Sequence, residues 1–301
     1  MTQNPGSSAP PPGSDLNLEN PEVAIDLLQR GATAMLNHRR RAGSVVDLPT
    51  RGRVLMTGDL HDHGLNLQRI IQLAALHESR ANHLILHEII HGPARVNDRD
   101  LSVRTLLRIA ALLLEYPGQV LLMMGNHELA QYGGEGIIKA GSSVVESFDA
   151  GLEFLYHERH EDVRAALHGF IAAMLLAVRC PNGVFCSHSL PGPRKLEKFD
   201  PSVIDRVPTP DDLAMGGSAY LLVWGRRHTQ KLADELAAAW KTKLFVMGHQ
   251  PTEMGYELEG ETMLVLNSDH EHGVALPIDL GREYTRDELV EAIVPLNSVV
   301  L

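Results

Sequence analysis

The chain alternates short apolar runs with longer amphipathic stretches, and their order predicts the fold. Residues 53–56 form an apolar run that predicts a strand, leading into Gly58-Asp59. Residues 65–79 place apolar positions at helical spacing. Residues 83–86 predict a second buried strand, 101–116 a second helix, and 120–124 a third strand leading into Gly125-Asn126. Strand, helix, strand, helix, strand is the signature of βαβ units and a parallel sheet. The stretch 137–177 reads as largely helical. Residues 184–186 predict a strand running into Ser187-His188, and 244–247 another running into Gly248-His249. Further strands are expected at 263–267 and 274–278, with a turn over 268–273. Upstream, 21–41 predicts a helix. Pro21 suits its first turn, Asn20 can cap it, and Ala24, Leu27, Leu28 and Ala32 make an apolar stripe. Arg39, Arg40 and Arg41 would then face the negative end of its dipole. Residues 1–20 are rich in Pro, Gly, Ser and Asn and are expected to be a disordered tail. No repeat or linker divides the rest, so 21–301 is expected to be one domain.

At 301 residues, with 44% apolar and 22% charged, the chain has the size and composition of an ordinary globular α/β protein. The formal net charge of −11, with histidines neutral, argues against nucleic acid or an anionic membrane as the main partner. It does not argue against an anionic substrate, because bound cations reverse the local field. No apolar run approaches the roughly 18 residues of a membrane helix. No basic region followed by an apolar core reads as a secretory signal, so a cytoplasmic location is expected. Cys180 and Cys186 are expected to be reduced and buried, with a bridge between them as the alternative.

Sixteen histidines is a high count, and several gather in short polar blocks. These blocks are GDLHDH (58–63), GNHE (125–128), CSHS (186–189) and GHQP (248–251), each following an apolar run. Loops at the carboxyl ends of parallel strands are where sites form in such sheets. On an extended backbone Asp59 and His61 would point to one side and could share a metal. An Asx turn beside a surface histidine is the plain alternative. Asp62 could orient a ligand histidine or lie in a solvated turn. Asn126 offers a neutral oxygen ligand, and His127 could donate a proton to a leaving group. Glu128 could hold that imidazole protonated and oriented. The same block would also serve as a strand-to-helix turn with an Asn cap. His188 and His249 are candidate ligands, or else satisfied structural histidines. Between them stands Trp224-Gly225-Arg226-Arg227. A planar guanidinium matches two phosphate oxygens, so Arg226 and Arg227 are candidate substrate contacts, or else a surface basic pair. Carboxylate, amide oxygen and imidazole without thiolate suit Mn, Fe or Zn.

GDLHDH, GNHE, VFCSHS and MGHQPT, in that order across residues 53–252, resemble four ordered blocks of the calcineurin-like metallophosphoesterases. The likeness is nearest to the phosphoprotein phosphatase type and its bacterial relatives, which include diadenosine tetraphosphate hydrolases. The resemblance implies a four-layer α/β/β/α sandwich around a dinuclear centre of two divalent metal ions. It implies that Asp59 and His61 bind the first metal and that Asn126, His188 and His249 bind the second. It makes His127 the general acid and Arg226 a phosphate contact. A metal-bound hydroxide would attack a phosphate monoester, phosphoserine and phosphothreonine being candidates. The implied partner is a phosphorylated small molecule or a phosphoprotein. The same blocks are compatible with a dinucleotide polyphosphate as substrate.

One block departs from the family. Its members carry Gly-Asp-x-x-Asp-Arg-Gly after the second strand, with the first Asp bridging both metals. Here the chain reads His87-Glu88-Ile89-Ile90-His91-Gly92. Counted from the strand, Glu88 takes the bridging place and His91 that of the second Asp. Counted from the final glycine, His87 takes the bridging place. A carboxylate has two oxygens for two cations, whereas one neutral imidazole nitrogen cannot bridge, which favours Glu88. The motif's Arg has no obvious counterpart, with Arg95 and Arg99 as substitutes to consider. The rewritten block leaves a further class open: a pseudo-enzyme that only binds a phosphorylated partner.

Overall fold

The apolar runs are strands in the computed structural model, which describes residues 13, 15–134, 138–139 and 142–301. In chain order the strands are β1 (Arg41–Ala42), β2 (Val45–Asp47), β3 (Arg53–Thr57), β4 (Asn82–His87), β5 (Val120–Met123), β6 (Ile138–Lys139), β7 (Ser142–Ser143), β8 (Ala177–Arg179), β9 (Val184–Ser187), β10 (Leu244–Met247), β11 (Tyr256–Glu259), β12 (Met263–Leu266), β13 (Val274–Asp279) and β14 (Val294–Pro295). The helices that position the site are α1 (Pro21–Leu36), α2 (Gly64–Ala74), α3 (Val103–Glu115), α4 (Asn126–Gly133), α5 (Val144–Tyr156) and α6 (His160–Ala172). They are followed by α7 (Pro210–Leu213), α8 (Ser218–Trp224), α9 (Gln230–Trp240) and α10 (Arg286–Glu291).

Two sheets carry the molecule. One runs β14-β13-β3-β4-β5, with β3, β4 and β5 parallel and β13 antiparallel to β3. The other runs β1-β2-β8-β9-β10-β12-β11, with β9, β10 and β12 parallel. Side chains alternate along each strand between two apolar layers. Val54, Met56, Ile85, Leu121 and Met123 join Val184, Cys186, Val246, Leu264 and Leu266 in the layer between the sheets. Leu55, Leu84, Leu86, Val120 and Leu122 turn the other way, against the helical side where α2 and α3 pack. On the far sheet Phe185 stacks on Trp240 of α9 with ring centroids 4.6 Å apart. Helix, sheet, sheet, helix are the four layers expected. Strands covered on both faces read as unbroken apolar runs, which is why the sequence shows runs and not alternation.

Parallel pairing brings the carboxyl ends of β3, β4, β5, β9 and β10 to one edge. The two sheets are tied there. Asp59 and Asn267 form a single parallel bridge, Ser268 N donates to Asp59 O at 3.0 Å, and Gly58 N donates to Ser268 Oγ at 2.9 Å. Backbone meets backbone so closely that a Cβ on Gly58 would lie 2.3 Å from the Leu266 carbonyl carbon and 2.4 Å from Asn267 Cα.

Several boundaries differ from expectation. The first helix is capped by Asn20, whose Oδ1 accepts from Glu22 N at 2.9 Å, but it ends at Leu36. The expected dipole pairing falls to Arg41 of β1, whose Nη1 donates to Met35 O at 3.2 Å and to Ala173 O at 2.6 Å. The stretch 137–177 contains β6 and β7 and the start of β8 besides α5 and α6. Strands β1, β2, β8, β11 and β14 are unexpected; at two to four residues they are too short to show a period. Of the expected tail, 1–12 and 14 lie outside the described residues. Leu18 is buried and its carbonyl accepts from Tyr156 Oη at 2.9 Å, so packing starts before Pro21. Cys180 and Cys186 are both buried between the sheets. Among the described residues no helix is long and apolar enough to cross a membrane.

The Gly58 contact is testable. Gly58→Ala should cost about 1–3 kcal/mol of unfolding free energy, as overpacking does. Gly169→Ala in α6 meets nothing within 4 Å and should be neutral or slightly stabilising. Urea unfolding of both variants reads the difference; equal stabilities would mean that the sheets part freely at Gly58.

Candidate metal centre

The loops after β3 and β4 are zipped together. Leu60 N and His61 N both donate to Glu88 O, at 3.0 and 2.8 Å, and Asp62 N donates to Ile89 O at 2.8 Å. This pairing turns the backbone left-handed, with φ +43° at His61, +60° at Asp62 and +49° at Glu88. The extended Asp59-Leu60-His61 segment expected from alternation is therefore not found. The two side chains part: Asp59 groups with His87 and His188, and His61 groups with Glu88 and His127. In each group the ligand atoms lie within 4.8 Å of one another.

Hydrogen bonds fix which ring nitrogens face inward. His61 Nδ1 lies 3.0 Å from Ile90 O, and a carbonyl only accepts, so Nε2 is left with its lone pair. His87 Nε2 lies 2.9 Å from Thr57 O by the same logic, leaving Nδ1 open at 3.6 Å from Asp59 Oδ1 and 2.9 Å from His188 Nδ1. His188 Nε2, Asn126 Oδ1 and His249 Nδ1 form a third set, with separations of 3.0, 3.2 and 2.7 Å. Metal–ligand distances of about 2.0–2.2 Å put neighbouring donor atoms roughly 3 Å apart. Asn126, His188 and His249, expected as one ligand set, are thus brought together.

Glu88 stands between the sets. Its Oε1 lies 3.9 Å from His61 Nε2 and 3.7 Å from His127 Nε2, while Oε2 lies 3.7 Å from His188 Nε2. His87 touches only the Asp59 and His188 side. A Cβ on Gly125 would fall 1.8 Å from Glu88 Oε2, so the first residue of GNHE is glycine because the carboxylate occupies that space.

The electrostatics fit a cation. Asp59, Glu88 and Glu128 are buried carboxylates. Burial pushes His87 down to about 4 and His188 well below its ordinary value. His249 falls to about 3, through burial first and then the Arg226 and His228 charges. Neutral imidazoles cannot balance buried carboxylates, and the donor set of oxygens and nitrogens without sulfur suits divalent ions.

Three expectations are corrected. Glu128 does not orient His127: its carboxylate accepts from Ile89 N at 2.7 Å, Ile90 N at 3.2 Å and Gly125 N at 3.2 Å, holding the loop that carries Glu88. Burial still raises its pKa against those bonds. His127 Nδ1 is met by His91 Nδ1 at 2.9 Å. Asp62 accepts from Thr105 of α3 and turns away from the ligand rings. Arg99 lies over the Phe154 ring at 4.6 Å, committed away from the centre. Arg226 Nε donates to His249 Nε2 at 3.0 Å, so the proton of that neutral ring sits on Nδ1, towards Asn126. Ligation at Nδ1 would shift that proton to Nε2 and end the Arg226 hydrogen bond. Arg227 is exposed with φ +59°, and among the described residues no hydrogen bond or ion pair ties it to the cluster. Sequence reasoning missed His228, whose Nδ1 lies 2.6 Å from Glu259 Oε2 and whose Nε2 lies 3.0 Å from Leu190 O, fastening the Arg226 loop. No spacing signal marks it.

The geometry agrees with comparisons to known proteins. The family model for calcineurin-like phosphoesterase matches residues 52–276. A protein serine/threonine phosphatase from Saccharomyces cerevisiae, with similarity to human phosphatase PP5, superposes with a TM-score of 0.63 at 14% identity, covering 91% of this chain and 88% of its own. A cold-active protein-tyrosine phosphatase of the psychrophile Shewanella sp. superposes at 0.53 with 13% identity, covering 81% and 79%. No curated protein matches the chain in sequence. With three quarters of its length matched and the ligand loops in place, the chain belongs to the calcineurin-like phosphoesterases, hydrolases that act on phosphate esters.

Proposed function

We propose that this chain is a metal-dependent phosphatase of phosphate monoesters, phosphoserine and phosphothreonine among them, working with a dinuclear centre. The observation that carries it is Glu88. Its two oxygens face different ligand sets, His61 and His127 on one side and His188 on the other, as a bridging carboxylate requires. His61 and Glu88 would hold one ion, which Asp59 would join by turning its carboxylate out of the His87 and His188 group, and Glu88, Asn126, His188 and His249 would hold the other. When bound, two divalent ions supply positive charge to the phosphoryl oxygens and acidify water.

The remaining work falls to the chain. Arg226, at the exposed rim, offers its guanidinium to the phosphoryl oxygens, where a planar donor pair stabilises charge developing in the transition state. Arg227 adds positive charge beside it. His127 lies with Nε2 towards Glu88 and can deliver a proton to the leaving oxygen. The burial of the centre lowers the local dielectric and strengthens each of these interactions. The fold likeness to a serine/threonine phosphatase and a protein-tyrosine phosphatase supports a phosphoprotein substrate and does not select the residue.

Hydrolysis of p-nitrophenyl phosphate with added Mn should be abolished by a chelator. Asp59→Asn should lower that rate by about 10²-fold or more, and His127→Asn should lower the rate on an alkyl phosphate, whose leaving oxygen needs a proton, by about as much. If both variants turn over at the parental rate, the assignment is wrong. Release of phosphate from a phosphopeptide, set beside cleavage of diadenosine tetraphosphate, decides the substrate class. Absence of turnover in Mn, Fe and Zn, with fewer than two ions bound, would favour a binding protein. Metal analysis also separates the two bridging candidates: Glu88→Gln should reduce two bound ions towards one, whereas His87→Gln should leave two. The reverse result would hand the bridge to His87.

A further inference from the structure

We infer that His91, Gln131 and Asp149 form a hydrogen-bonded chain that fixes the tautomer of His127, so that its Nε2 always faces the centre. The chain begins at the surface. Gln131 Nε2 lies 2.9 Å from Asp149 Oδ1. A carboxylate only accepts, so the amide nitrogen of Gln131 must point outward and its Oε1 inward. Oε1 lies 3.0 Å from His91 Nε2. An amide oxygen also only accepts, so His91 carries its proton on Nε2 and, as a neutral ring, presents a lone pair at Nδ1. That lone pair lies 2.9 Å from His127 Nδ1. His127 must therefore carry a proton on Nδ1, and Nε2, 3.7 Å from Glu88 Oε1, is the nitrogen that must take up a second proton before passing it to the leaving oxygen.

The packing holds each link in place. His91, Gln131 and His127 are all at least nine-tenths buried, so each polar atom must find its partner within the protein. Gln131 follows His127 by one turn of α4 and shares its face. His91 is held edge-on between His127 and Phe148, with centroids 5.1 and 5.5 Å away. Its backbone N donates to Ser102 Oγ at 3.1 Å. Asp149, on α5, is anchored by Arg164 of α6 at 3.4 Å. Glutamine passes no proton along such a chain; it transmits polarity only. His91, Gln131 and Asp149 are positioning residues and touch no reacting atom.

The tautomer assignment stands on hydrogen-bond chemistry alone; its consequence for catalysis rests on the reading of His127 as the acid. Long-range ¹H–¹⁵N spectra of histidine-labelled, metal-free protein should place the protons on His127 Nδ1 and His91 Nε2, with the resonances assigned from His127→Asn and His91→Asn. A His127 proton on Nε2 alone overturns the inference. Gln131→Met, and independently Asp149→Leu on the half-buried outer link, should add His127 signal from the other tautomer; unchanged spectra would also overturn it. In turnover, Gln131→Met should lower kcat for an alkyl phosphate on the order of tenfold more than for p-nitrophenyl phosphate, whose leaving group needs little protonation. KM should hold, and Gln131→Glu, which keeps the acceptor, should recover the rate. Equal losses on both substrates would mean a merely structural role. A wild type that binds metal but hydrolyses neither ester would remove the phosphatase reading, while the spectra would still decide the tautomer.

Discussion

Strands covered on both faces leave polar groups nowhere to go except past their ends, and the whole site follows from that constraint. Within β3, β4, β5, β9 and β10 nearly every side chain is packed against either the facing sheet or a helix. An unpaired carboxylate in either layer would cost several kcal/mol. The chemistry accordingly starts one to three residues beyond Thr57, His87, Met123, Ser187 and Met247, where the strands stop. Because five strands stop at one edge, five loops converge. The pleat also explains the division of labour in the rewritten block. His87 is the last residue of β4 and shares the direction of Ile85, between the sheets, so it meets Asp59 and His188. Glu88 is the first residue free of the pleat, and its left-handed backbone swings the carboxylate back between the ligand sets.

That freedom has a conformational cost. His61, Glu88, His91 and His249 are all left-handed non-glycine residues, with φ between +43° and +69°. Conformations of this kind cost on the order of 1 kcal/mol or more each and persist only where the surroundings over-determine them. Here the surroundings are backbone hydrogen bonds: Glu88 O accepts two, Glu128 accepts from three amides, and His249 N donates to Asp59 Oδ1 at 2.8 Å. Glu128 therefore matters more to loop shape than to the ring beside it.

Much of this was legible in the residues. Continuous apolar runs gave the central strands to within a residue or so, because burial on both faces leaves a strong signal. The metal-ligand candidates stood out because hard donors followed those runs directly. The short strands β1, β2 and β14 carried no period and show only through the partners they pair with. The positions of His61 and Glu128 were not legible, since both depend on which way a loop turns after the strand ends. His91, Gln131 and Asp149 lie on three different elements, and only the fold brings them into line. The one hint was His91, which, counted from the strand, stands where the resemblance expects an aspartate.

The two-sided burial has a consequence for how the chain finds its pairing. A half-exposed strand rejects a one-residue slip because the slip turns its polar side chains inward. A strand apolar on both sides has no such check along its length. In β3, β4 and β5 the check sits at the end: sliding by one position would drag Glu88 into the apolar layers, and by two or three positions Asp59 and Asn126. The ligand blocks thus mark the register as well as the site, since a slipped pairing would carry a carboxylate or amide into the apolar layers.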